Sequence, residues 1–144
     1  MTFRLVDLIP SLQMAIGPVI LISGVGLLLL SMTNRFGRVI DRSRDLASEL
    51  RAASGERDRV VRQIDILMKR ARVLRRAIAL SILSVLLAAV LIITLFVAAV
   101  FTLELGGLVV ALFTSCVTAL IVSLVSLLRD INLSLVALKL ELGA

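Results

Sequence analysis

Histidine, tryptophan and tyrosine are absent from this 144-residue chain, which has one cysteine and two prolines. Without histidine, and without a nucleophile elbow, a metal-ligand cluster or a glycine-rich phosphate loop, the ordinary machinery of catalysis is missing. The chain therefore reads as a non-enzyme that holds no cofactor and no metal. Its lone thiol, Cys116, excludes an intrachain disulfide framework and a cysteine-based metal site, which leaves packing as its expected role. With no tyrosine or tryptophan to stack bases, and with its basic residues interleaved with acids, the chain is not expected to bind nucleic acid. Charge is missing from three long runs, residues 12–32, 77–103 and 105–128. Because none of them contains a carboxylate or a lysine, a transporter that relays protons through buried acids is disfavoured.

What is present is hydrocarbon. The composition is 60% hydrophobic and the mean hydropathy is +1.10, more apolar surface than a soluble domain of this size can bury. Each uncharged run reaches the roughly 20 residues needed to cross about 30 Å of hydrocarbon as a helix. The expected fold is an all-α membrane protein with three transmembrane helices. The first run is longer than a typical signal-peptide core and no small-x-small cleavage site precedes the arginine-rich segment, so it reads as a mature span. The net charge of +6 is concentrated in residues 33–76, where thirteen Arg/Lys against six Asp/Glu give +7. By the positive-inside rule that segment is cytoplasmic, which makes the N-terminus external, the turn at 104–107 external and residues 129–144 internal. Glu104 and Asp130, at span edges, read as interfacial.

The single membrane domain divides further. Residues 1–11 suit a short helix lying in the outer interface and ended by Pro10, while Pro18 is placed to kink the first span. In residues 33–76, Phe36, Val39, Ser43, Leu46, Leu50 and Ala53 follow 3-4 spacing, and Val60, Ile64, Leu67, Ala71, Leu74 and Ile78 repeat it. With a break at Ser54-Gly55, the first two spans would extend into a cytoplasmic antiparallel coiled-coil hairpin projecting about 30 Å. Arg38/Asp41, Asp41/Arg44, Asp58/Arg62 and Asp65/Lys69 stand three or four apart and support helix. Residues 129–144 fit a helix or a strand by periodicity; continuity favours helix, packed on the hairpin or on the inner interface.

Small residues at helical spacing mark helix contacts in lipid. Ala111, Ser115, Ala119 and Ser123 form such a row on the third span, and Ala77, Ser81, Ser84 and Ala88 on the second. On the first span and its continuation, Gln13, Gly17, Gly24, Ser31, Arg35, Arg38 and Arg42 fall within about 60° of one another. In a symmetric assembly that stripe would line a pore, Leu28 among the leucines of a hydrophobic constriction and the arginines forming a cationic mouth for ions. In the plainer reading the small residues admit a neighbouring helix and the arginines meet lipid phosphates. Asn34, Arg38, Asp41 and Arg44 form a candidate polar network where the helix leaves lipid. Arg70, Arg72, Arg75 and Arg76 are candidate contacts for anionic headgroups.

Ala15-Ile16-Gly17-Pro18, the run from Leu21 to Gly26 and the run from Asn34 to Arg44 resemble the bacterial membrane family called domain of unknown function 2721. Lys69-Arg70-Ala71-Arg72 on to Ala77-Ile78, and Leu128-Arg129-Asp130-Ile131, are similar to it as well. The likeness covers nearly the whole chain and is most specific in Asn-Arg-x-x-Arg-x-x-Asp-Arg-x-Arg. It implies a prokaryotic inner-membrane protein of this architecture and implies no activity. The functional expectation is a homo-oligomer that interacts with membrane lipids: a small ion channel lined by the first span or, alternatively, a non-conducting membrane scaffold or lipid-organising protein whose cytoplasmic hairpin binds a partner.

Overall fold

The computed structural model describes residues 5–52 and 57–142, with side-chain surroundings for residues 9–10, 12–51 and 57–132. The hairpin break expected at Ser54-Gly55 and the seam residue Ala53 lie outside the described residues. The described residues form three helices: α1 (Leu5–Ala52), α2 (Arg57–Phe101) and α3 (Gly106–Leu142). All three are long and apolar enough to cross a membrane. Residues 131–142, ambiguous by periodicity, continue α3 as helix.

Pro10 does not end the first helix: α1 runs unbroken through both Pro10 and Pro18. Each proline removes one backbone hydrogen bond, and the one at Pro10 is lost near the helix start, where few turns depend on it. The α2–α3 connection is tighter than a loop. The Leu103 amide donates to the Ala98 carbonyl at 3.0 Å, and Thr102 adopts a left-handed conformation with φ of 52°. Together these form a Schellman-type stop at the end of α2. The Val109 amide then donates to the Leu105 carbonyl and opens α3.

The helices contribute to two compact units, one built from α1 up to Leu29 and Leu80–Ile121, the other from α1 from Leu30, α2 up to Ala79 and α3 from Val122. In the second unit, Val39, Ala71 and Leu74 form a cluster joined by Phe36, Ile40, Leu67 and Leu127. Every described residue of the two predicted seams is buried or half-buried. Along α1, among the residues whose side-chain surroundings are described, Val25, Met32, Val39 and Leu46 are buried, a strict seven-residue repeat that includes two positions of the apolar run. Burial is nonetheless sparse on α1: 6% of its most apolar 18-residue window is buried, against 17% in α2 and 17% in α3.

Candidate functional site

In the first unit, α2 and α3 meet through small residues. Ser81, Ser84, Ala88 and Leu91 of α2 and Cys116 and Ala119 of α3 are buried. Without large side chains between them the backbones come close enough for reciprocal bonding. The Ser84 hydroxyl donates to the Cys116 carbonyl at 2.9 Å and the Cys116 thiol donates to the Ser84 carbonyl at 3.2 Å. The expected small row on α2 is thus occupied within the chain. On α3 the buried face differs from the expected row, since Ala111 and Ser115 are exposed. A four-residue repeat drifts about 40° per step, so Cys116, Ala119, Ser123, Leu127 and Asp130, spaced three or four apart, share the inward face instead.

An apolar cleft of about 210 Å³ lies beside this contact, lined by Gly17, Pro18 and Leu21 of α1, Ala88 and Leu91 of α2, and Phe113 and Cys116 of α3. The missing side chain at Gly17 helps to leave it open, since a Cβ there would meet no atom within 4 Å. The same holds at Gly24 and Gly26.

In the second unit the bonding is charged. Arg70 of α2 donates from Nε to Oδ1 of Asp130 on α3 at 3.3 Å. Asp130 is fully buried, the Arg70 side chain is 20% exposed, and Asp130 Oδ2 meets no donor among the described residues. One helical turn or more from Asp130, the Ser123 hydroxyl donates to the Ala77 carbonyl at 2.7 Å. Periodicity offered a signal for this arrangement, because Asp130 continues the 3-4 spacing of Ser123 and Leu127. The partner Arg70 carries no such signal, standing among three other arginines in its stretch of α2.

The other sequence-derived candidates lie as follows. In the α1 stripe, Gln13, Gly17, Gly24, Ser31, Arg38 and Arg42 are exposed, and Leu28 and Arg35 are half-buried. Asn34, Arg38, Asp41 and Arg44 are all exposed, and no hydrogen bond or ion pair joins them among the described residues. Arg72, Arg75 and Arg76 are exposed, whereas Arg70, grouped with them by sequence, turns toward α3. Of the expected helix-surface pairs, Lys69 and Asp65 meet at 2.7 Å. Among the described residues no group of three His, Cys, Asp or Glu side chains is placed to hold a metal.

Comparison with curated proteins and with solved structures finds no match. Residues 15–140 match the family described as "Protein of unknown function (DUF2721)". That stretch includes the α1 glycines, the Ser84–Cys116 contact and the Arg70–Asp130 pair, and the chain belongs to this family.

Proposed function

We propose that the protein is a non-enzymatic, homo-oligomeric membrane protein whose copies associate through α1, and that the α1 stripe lines an ion pathway. One contrast carries this reading. The small-residue face of α2 is filled within the chain, while Gly24 and Gly26 of α1 face open space and Gly17 borders the cleft. In lipid, close approach of backbones is a main source of association, and exposed glycines at helical spacing are the surface that permits it. Gln13, Ser31, Arg38 and Arg42 share that exposed stripe, which would give a pathway a polar lining with a cationic end.

Residues 33–76 are taken as cytoplasmic and the membrane as a bacterial inner membrane, from the +7 charge of that segment and the family likeness. The buried and half-buried seams support a coiled-coil hairpin there. Exposed Arg72, Arg75 and Arg76 suit anionic headgroups, each contact worth about 1 kcal/mol. The scaffold reading has its own support: Val61 and Met68, each 48% exposed and seven residues apart on the charged part of α2, form an apolar strip suited to a partner helix.

The deciding experiment is purification into detergent for stoichiometry, followed by ion flux from liposomes. A multimer whose flux falls in Gly24→Leu and changes its anion-to-cation ratio in Arg38→Gln supports the pathway. A monomer, or a multimer without flux under any ionic gradient, overturns it and leaves the scaffold.

A further inference from the structure

The Arg70–Asp130 pair is lopsided in a way that has mechanical consequences. Burying a carboxylate is costly unless its oxygens are bonded, yet Asp130 is fully buried with one 3.3 Å bond and Oδ2 without a donor among the described residues. Arg70 keeps a fifth of its side chain open and can swing outward to water or headgroups. Asp130 has no such exit, because its short side chain is fixed to α3 and faces inward. Once Arg70 leaves, the carboxylate loses its one bond, and its need for water favours parting of α3 from α2 at this level. We propose that the Arg70–Asp130 pair is a latch: while it is closed it holds α3 to α2 at Asp130, and opening it frees the helix from that point onward, so that the amides of residues 131–142 exchange faster. This holds whether or not the protein oligomerises or conducts.

The pair is half made, and that suits a latch better than a permanent brace. A brace would use both carboxylate oxygens against the guanidinium fork. The second anchor at this level is apolar: Leu127 packs against Val39, Ala71 and Leu74. It gains from burial without forbidding separation.

The test is amide hydrogen exchange on the full-length protein in phosphatidylcholine nanodiscs, comparing Arg70→Met, Asp130→Asn and the double variant Arg70→Leu/Asp130→Leu with wild type. Arg70→Met strands a buried carboxylate and is expected to speed exchange across residues 131–142 about a hundredfold. Asp130→Asn leaves a neutral, bondable group and an arginine free to turn outward, so the expected rise is about tenfold. The double variant removes both charges and should exchange at least tenfold more slowly than Arg70→Met. A rise below tenfold in Arg70→Met overturns the latch, as does a double variant that exchanges as fast as Arg70→Met. So does an equal rise in residues 107–118, which would mean general loosening. If Arg70→Met does not fold, Asp130→Asn decides: a rise of threefold or more supports the latch, and wild-type exchange overturns it.

Discussion

The two units of this molecule are held together by different chemistry. The first buries mainly serine, alanine and cysteine, bonds its helices through a hydroxyl and a thiol, and leaves an apolar cleft of about 210 Å³ unfilled. The second buries Met32, Val39, Leu46 and Leu74, and adds an ion pair. On the proposed placement, with residues 33–76 outside the membrane, the difference follows the surrounding medium. Where hydrocarbon surrounds a helix, burying a leucine gains little over leaving it in lipid, so close backbones and polar bonds do the joining. Where water surrounds it, removing apolar surface from solvent is itself the driving force. The +7 charge of residues 33–76 and the uncharged runs of the first unit give that contrast its sequence basis.

Truncation in the second unit should have the largest effect. Leu74→Ala removes a fully buried side chain from the Val39–Ala71 cluster and is expected to cost about 2–5 kcal/mol, read by reversible unfolding in mixed micelles. Equal cost for Leu91→Ala would break the comparison. Leu91 already borders open volume, so its loss should fall at the low end, about 2 kcal/mol. Filling the tight contact reverses the logic: Ala119→Phe, away from the cleft lining, should cost about 1–3 kcal/mol if the α2–α3 approach is as close as the Ser84–Cys116 bonds require. Ser84→Ala loses the hydroxyl bond and should cost about 0.6–2 kcal/mol. Smallest and opposite in sign is Thr102→Gly. A β-branched residue at φ 52° is strained, and glycine should stabilise the turn by about 1 kcal/mol, seen as a higher unfolding midpoint.

Much of this was legible in the sequence because the signals are local. Three uncharged runs announced three helices, and 3-4 spacing from Phe36 to Leu50 and from Val60 to Ile78 announced the inward faces. The small row of α2 was visible for the same reason. The row on α3 was legible in part: Ala119 and Ser123 are buried, but a four-residue repeat winds around the helix, so Ala111 and Ser115 fall off the face that Cys116 shares. Of the Arg70–Asp130 pair, only the inward placement of Asp130 was legible, and its pairing with Arg70 was not. It depends on the register of two helices brought together by a turn at 102–105, and nothing near Arg70 distinguishes it from Arg72, Arg75 and Arg76. Pro10 misled for another reason: a proline stops a helix when its missing bond matters, and near an end it matters little.

Cys116 also provides a means of observing motion. It is the chain's one thiol, buried between α2 and α3, tied to Ser84 and bordering the apolar cleft. A lipid-soluble maleimide reaches it through the cleft or when those helices part, so the labelling rate is a clock for the opening of that part of the first unit. The clock needs no engineered probe. Cysteines introduced elsewhere on the surface would react long before it did, which leaves the native background silent for every site-directed experiment on this protein.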